Sequence, residues 1–327
     1  MRSLIEQLPN HIEESIVIFN SSNININIVA IKNIVIAGLG GSGIGASIVT
    51  DIAKTHATLP IGITKDYFIP SYVGKDSLLI ASSYSGDTEE TLSVLEKGVA
   101  LGAQVVCITS GGKMKEIAKK HGLGLIEIPG GNPPRACLGY SLSQLILLFV
   151  HIGQLPEKYA EDLGATASFL ISNQEKISSE ANAIADRLYN KIPVIYSDSN
   201  KEGVAVRFRQ QINENAKMLA WHHVIPEMNH NELVGWAGGK DFLSVVFIRS
   251  KNDFERNQTR MEIIKGVIAP HAGCISEIWA EGENAVIETF YIIHFCDWVS
   301  FHLSKKNKVD IMEVDVINYL KTELSKL

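Results

Sequence analysis

Ser83, Ser85 and Thr88 bring three hydroxyls together just after the apolar run Leu78-Leu79-Ile80 and just before a helical pattern. A strand, a hydroxyl-rich loop and a helix start in that order form a concave set of donors. The first backbone N–H groups of a helix lack intrahelical partners, and the helix dipole favours an anion there. The chemistry is that of a phosphate cradle, with an ordinary helix cap as the plainer reading. Gly86 removes a Cβ where the backbone must turn tightly, and Thr88 or Asp87 is expected to cap the helix.

A second loop of the same kind lies upstream, where Ile34-Val35-Ile36-Ala37 runs into Gly38-Leu39-Gly40-Gly41-Ser42-Gly43. Gly38, Gly40 and Gly43 match the G-x-G-x-x-G spacing of a dinucleotide fold, with Asp66 at about the right distance beyond. Ser42 inside the loop and the second hydroxyl cradle argue against it, since a pyrophosphate needs close backbone approach more than extra hydroxyls. Nicotinamide binding ranks second.

The second half carries a dense polar constellation: Arg207, Arg209, Gln210, Gln211, Asn213, Glu214, Asn215 and Lys217, then His222, His223, Glu227, His230 and Glu232. On a helix Gln210 and Glu214 share a face, and Lys217 is spaced to pair with Glu214 as a solvated ion pair. Against that reading, Ile212, Met218 and Leu219 give the helix an apolar face, while Asn213 and Asn215 are poor helix formers and hint at a site. The histidines and glutamates fit no zinc-ligand spacing, so no metal is expected. His230 lies between asparagines in a segment opened by Pro226, which reads as a loop. Arg135, in Asn132-Pro133-Pro134-Arg135-Ala136, stands at the start of an apolar helix, where a cation is unfavourable unless an anionic partner relieves it.

The elements that must position these groups follow from the rest of the chain. At 327 residues and 46% hydrophobic composition it is long enough for two domains with separate cores. The net charge of −6, with no dense Lys/Arg stripe, argues against binding nucleic acid or an anionic membrane surface. The N-terminal residues lack an apolar export signal, so a cytoplasmic protein is expected. Cys107, Cys137, Cys274 and Cys296 sit in apolar surroundings without C-x-x-C spacing and read as buried free thiols. The apolar tracts Leu138–Ile152 and Ala285–Leu303 are interrupted by polar residues and read as core helices, not membrane spans.

The chain also runs through one plan twice. Ile34–Ala37 has a counterpart in Pro193–Ser199, Gly74-Lys75-Asp76 in Gly239-Lys240-Asp241, and Gln104–Ile108 in Gly273–Ile278. Strands alternating with helices in each half predict an α/β protein of two doubly wound units, each a parallel sheet flanked by helices, with ligands at the carboxyl ends of strands. The expected division is residues 1–153, a polar helical connection over 154–190, and residues 191–327. The Asn-Ile alternation from Asn23 to Asn27 reads as a short strand or loop.

Taken together, the residues resemble the sugar isomerase (SIS) domain proteins, and within them the bifunctional phosphoglucose/phosphomannose isomerase family. The resemblance is carried by Gly38–Gly43, Ser83-Tyr84-Ser85-Gly86-Asp87-Thr88, Pro134-Arg135-Ala136, Asn213-Glu214-Asn215-Ala216-Lys217, Asn229-His230-Asn231-Glu232 and Tyr319-Leu320-Lys321, in the family's order along nearly the whole chain. It implies that Ser42, Ser83, Ser85 and Thr88 hold a sugar phosphate, with Gly40 and Gly41 giving close backbone approach. It implies that Glu214 is the catalytic base, that Arg135 stabilises developing negative charge, and that His230 and Lys321 open the cyclic sugar and handle protons at its oxygens. In the family the histidine reaches in from the neighbouring subunit, which implies a homodimer. Moving a proton between C1 and C2 through an enediolate requires one carboxylate and no metal or redox cofactor. The stretch Asp310-Ile311-Met312-Glu313-Val314-Asp315 stands where the family carries Asp-Pro and a threonine linked with room for the mannose epimer, so glucose 6-phosphate is the firmer of the two aldoses implied. Another SIS isomerase or a non-catalytic sugar-phosphate sensor are the alternatives; Glu214, His230 and Lys321 weigh against the sensor.

Overall fold

Short apolar runs alternate with longer amphipathic ones, and the computed structural model, described for residues 1–326, folds the first kind into strands and the second into helices. Helices α1 (Arg2–Glu6) and α2 (Leu8–Ser21) precede β1 (Asn33–Ala37), α3 (Gly40–Ala53), β2 (Ile61–Thr64), β3 (Ser77–Ser82), α4 (Glu89–Ala100), β4 (Gln104–Thr109), α5 (Gly112–His121), β5 (Gly124–Glu127) and α6 (Leu138–His151). The long α7 (Lys158–Leu188) leads to β6 (Ile192–Asp198), α8 (Glu202–Ala216), β7 (Trp221–Ile225), α9 (Glu232–Gly235), β8 (Leu243–Arg249), α10 (Glu255–Ile268), β9 (Cys274–Trp279), α11 (Ala285–Asn307) and α12 (Asp315–Leu324).

One sheet has the order β2-β1-β3-β4-β5 and the other β7-β6-β8-β9, and every described strand pair is parallel. Exchanging β6, β7, β8 and β9 for β1, β2, β3 and β4 makes the two orders coincide, so the internal repeat of the sequence is a repeat of architecture; β5 has no counterpart. Parallel strands need both faces covered. Accordingly Ile34–Ala37 and Leu78–Ala81 are buried throughout. In the first sheet the chain passes to opposite sides after β1 and after β3, which makes the gap between their carboxyl ends the switch point where such sheets bind ligands.

Two expectations are corrected. The halves do not have wholly separate cores. One continuous apolar cluster joins Ile36, Ile80 and Leu145 of the first half to Phe208, Phe290 and Val299 of the second, and only the outer face of each sheet has a cluster of its own. Nor is the segment 154–190 a polar connection. Within it α7 buries Leu163, Ala167, Leu170, Ile177, Ala181, Ala185 and Leu188 and packs along α11, the spacing of these residues giving one apolar stripe. Apart from the buried Asp162 and Thr166, its many polar residues occupy the other faces, which hid the stripe from a reading by composition.

Helices α6 and α11 are nearly all buried, as core helices must be, and among the described residues no helix is long and apolar enough to cross a membrane. All four cysteines are free; Cys274 is only partly buried. Residues 23–27 form no regular element, and a single 3₁₀ turn, Ile28–Ala30, follows them.

Candidate active site

Both hydroxyl-bearing loops lie at the switch point and are tied to each other. Ser42 Oγ, in the first turn of α3, accepts the Tyr84 N–H at 3.0 Å. Gly86 turns the second loop at φ +75°, and a Cβ there would lie 1.9 Å from the Gly111 carbonyl oxygen, so only glycine fits. Ser83 is buried inside this loop. Its Oγ accepts the Gly86 N–H at 3.2 Å and shares a hydrogen bond of 2.9 Å with Thr88 Oγ1. Gly40, Gly41, Ser42, Tyr84, Ser85 and Thr88 line a cavity of about 390 Å³, whereas Ser83 does not reach it.

The expected helix cap is not formed. Thr88 occupies the N-cap position of α4 but makes no cap bond, because its hydroxyl is committed to Ser83. Asp87 Oδ1 instead accepts the Lys113 N–H at 3.0 Å, holding the loop against α5. Asp66, the residue a dinucleotide would need, turns its carboxylate to the N–H of its own neighbour Tyr67.

The opposite wall of the cavity is charged. Arg135 lies in a 3₁₀ turn, Pro134–Ala136, just before α6, and is buried. The anionic partner that its position demands is Glu214, near the end of α8: Nη1 and Oε2 are 3.4 Å apart, and the carboxylate side chain remains one-third exposed towards the cavity. The Arg135 Nε–H donates to Asn215 Oδ1 at 2.9 Å, and Nη2 donates to the carbonyls of Ile311 at 2.7 Å and Met312 at 3.4 Å. These carbonyls belong to the strap between α11 and α12, so Arg135 also holds the segment from which Val314, Ile317, Asn318 and Lys321 line the cavity.

Lys217 does not form the expected ion pair with the Glu214 carboxylate. It ends α8 in the left-handed region, φ +55°, which turns its chain back so that Nζ donates to the main-chain carbonyls of Glu214 at 2.7 Å and Glu313 at 2.5 Å. Glu214 is thereby left to Arg135 and the cavity. Deeper in, Arg207 forms a buried ion pair with Asp297, its Nη2 lying 2.7 and 3.0 Å from the two carboxylate oxygens and 3.0 Å from the Arg135 carbonyl. Burial pushes the Asp297 carboxyl up, and Arg207 opposes that shift.

The remaining polar constellation disperses. Glu232 binds the hydroxyl of Tyr196 and the Trp221 indole, His222 lies 3.7 Å from Glu202, and Asn213 donates to the Met218 carbonyl. Among the described residues no group of histidine, cysteine or carboxylate side chains could hold a metal ion. His230 ends the 3₁₀ turn Glu227–His230, is exposed, and does not line this chain's cavity. A second cavity of about 400 Å³, lined by Trp221, Trp236 and Leu243, contains Glu232 but no facing cation and offers no comparable chemistry.

Sequence reasoning missed Tyr84, Glu90 and Asn318 as cavity residues. Tyr84 stood between two of the named serines and was the one of these that the motif itself marks. Its hydroxyl accepts the Asn132 N–H at 3.1 Å, and burial pushes its pKa up to about 12.

Residues 177–324 match the family described as bacterial phospho-glucose isomerase C-terminal SIS domain. The chain is 36% identical over 334 residues to the bifunctional phosphoglucose/phosphomannose isomerase of Caldicellulosiruptor bescii, covering 99% of this chain and 98% of that one. It is 36% identical over 299 residues to the protein of the same name from Aquifex aeolicus, covering 90% of this chain and 91% of the relative. Among solved structures, the C-terminal domain of glucosamine-fructose-6-phosphate aminotransferase from Francisella tularensis superposes with a TM-score of 0.76 at 16% identity, over 94% of this chain and 96% of that one, a likeness of fold alone.

Proposed function

Because this chain belongs to the bifunctional phosphoglucose/phosphomannose isomerase family, we propose that it interconverts glucose 6-phosphate, and with it mannose 6-phosphate, with fructose 6-phosphate, using Glu214 as the proton shuttle. The observation that carries this reading is the meeting of three features in one cavity: a loop pair rich in hydroxyls and N–H groups, the Glu214 carboxylate, and the Arg135 guanidinium 3.4 Å from it.

The phosphate takes the cradle formed by Gly40, Gly41, Ser42, Ser85 and Thr88. Ser83 contributes by holding that loop in shape. Remote phosphate binding orients C1 and C2 against Glu214, converting binding energy into positioning. Glu214 removes the proton from C2 of the aldose and returns it to C1, so the aldehyde is reduced at the expense of the adjacent carbinol within one molecule. The hydroxyl proton leaves O2 and one is taken up at O1, so atoms and electrons balance overall, and the carbon-derived proton exchanges with solvent while Glu214 holds it. The intermediate is an enediolate, whose oxygens carry the developing charge. Arg135 faces that charge, and a pre-oriented donor of this kind adds about 10²–10³-fold to the rate beside the base. Lys321 on α12 handles the proton at the ring oxygen.

His230 completes the site from a second copy in this reading. Its exposure, its absence from the lining of its own chain's cavity, and the apolar residues Val316, Tyr319 and Leu320 exposed on α12 support a homodimer in which it does so. We further read residues 1–153 and 191–327 as two SIS units joined through 154–190, and the protein as cytoplasmic, where charged sugar phosphates are retained.

The test is incubation with fructose 6-phosphate in deuterated water, followed by NMR. Both aldose 6-phosphates carrying deuterium at C2 are expected. Retention of full activity by Glu214→Gln, or no turnover by the wild type, would overturn the reading.

A further inference from the structure

The face of α8 that packs on α11 carries Arg207, Gln211 and Asn215, spaced four apart, all buried and all polar. A helix interface gains nothing in stability from such a stripe over apolar residues of the same size, because each polar group must be desolvated before it is paired. Arg207 and Gln211 are both spent on Asp297, Gln211 Nε2 donating to Oδ1 at 2.8 Å. Arg207 also touches the candidate site, but only at the Arg135 main-chain carbonyl, 3.0 Å away, whereas Asn215 is the member of this stripe that bonds the Arg135 guanidinium.

Asn215 is fully buried, and the direction of its amide is determined by a chain of hydrogen bonds. The Ser300 hydroxyl donates to the Asp297 carbonyl at 2.7 Å, so its oxygen is left to accept, and Asn215 Nδ2 donates to it at 2.9 Å. The other end of the amide is therefore the carbonyl oxygen, and it faces the Arg135 Nε–H at 2.9 Å. With Nη2 held by Ile311 and Met312, the guanidinium plane is fixed at two edges, and Nη1 is the group turned to Glu214 and the cavity. Successive residues of a helix point about 100° apart, so Glu214 and Asn215 divide their tasks: one faces the substrate, the other the cation beside it.

We propose that Asn215 is a positioning residue for the isomerisation, holding Arg135 edge-on so that Nη1 meets the enediolate oxygens as charge develops on them. This deepens the reading of the site given above and rests on it. A guanidinium free to rotate still neutralises the substrate on average but no longer presents its donor at the geometry the intermediate needs, and displacement by about 1 Å costs on the order of 10²-fold in rate. The loss falls on kcat, because the interaction belongs to the transition state.

The experiment is a double-mutant cycle with fructose 6-phosphate as substrate. Asn215→Leu in the wild-type background is expected to lower kcat about 10²-fold with KM changed less than about threefold, and to have no further effect in an Arg135→Met background. Asn215→Asp keeps an acceptor for Nε and is expected to recover most of the loss. Equal losses in both backgrounds, a rise in KM with steady kcat, or failure of Asn215→Asp to recover more than Asn215→Leu would each overturn the proposal and leave a packing role. Should Asn215→Leu not fold, Ser300→Ala, which frees the amide to flip without opening a large void, carries the same cycle, with about a tenfold loss of kcat expected in the wild-type background alone. Absence of turnover by the wild type overturns the isomerase reading itself, whereas turnover with additive variants overturns only the role of Asn215.

Discussion

Arg135 Nη1 and Glu214 Oε2 meet 3.4 Å apart although they come from opposite halves of the chain, one before α6 and the other in the last turn of α8. The contact joins a cation with few alternatives to a carboxylate that still faces the cavity. A carboxylate held this way is oriented while its side chain stays one-third exposed.

Glu214→Gln keeps the shape of the side chain and removes the carboxylate proposed as the base. It should lower kcat by about 10²–10⁴-fold while leaving KM within a few-fold. The melting temperature should change little, as the side chain is one-third exposed. Steady-state kinetics and loss of deuterium incorporation at C2 check this.

Arg135→Met removes both the cation beside Glu214 and the donor to the strap. We expect kcat to fall about 10²–10³-fold. In addition, amide exchange over residues 310–324 should accelerate, because the Ile311 and Met312 carbonyls lose the cation that holds them. A variant with impaired turnover and unchanged exchange would separate the two roles.

Ser83 and Ser85 sit two residues apart and should respond differently. Ser85→Ala removes a hydroxyl lining the cavity and should raise KM for the sugar phosphate. Ser83→Ala breaks the hydrogen bonds inside the loop and should cost about 1 kcal/mol of stability, read as a lowered melting temperature.

Asp51 supplies a pH dependence of stability. Its Oδ2 accepts the Gly203 N–H at 2.7 Å at the start of α8, and burial raises its pKa to about 6 against the pull of that bond and of Lys54 and Lys201. A carboxyl whose folded pKa is raised binds protons more tightly in the folded state, so its cost is fully present above about pH 6. That cost is relieved as the pH falls from there towards the unfolded value near 3.8. Asp51→Asn keeps an acceptor for Gly203 and abolishes the titration. It should stabilise the protein at pH 8 by at most about 3 kcal/mol and by little below pH 4, as thermal melts across pH would reveal.

The Arg207–Asp297 pair is buried on both sides. Asp297→Leu strands the guanidinium in the core and should destabilise by about 3–5 kcal/mol, whereas replacing both partners by apolar residues should recover much of that loss. Denaturant unfolding of the single and double variants measures it.

The local pattern of the chain was not sufficient for β2, β5 and β7, but it was for β1, β3, β4, β6, β8 and β9, the two loops, the parallel α/β class and the duplication. Each of these follows from interactions between residues close in sequence: apolar runs that must be buried, glycine where the backbone turns at φ +75°, and hydroxyls beside a helix start. Glu214 and Arg135 were legible as separate anomalies, a carboxylate among poor helix formers and a cation at a helix start that wanted an anion. That each is the other's partner was not legible, because nothing in either neighbourhood encodes a contact across the whole fold. The same limit accounts for α7, whose apolar stripe has meaning only against α11. It accounts for Lys217, diverted by a left-handed turn from the carboxylate to main-chain carbonyls, and for Ser83, whose hydroxyl closes the loop from within. Sequence determined which chemical groups exist and which short elements carry them. Tertiary packing alone decided which of those groups share a cavity, since hydrogen bonds and ion pairs act over a few ångströms while the residues that make them are brought together only when distant helices bury their common faces.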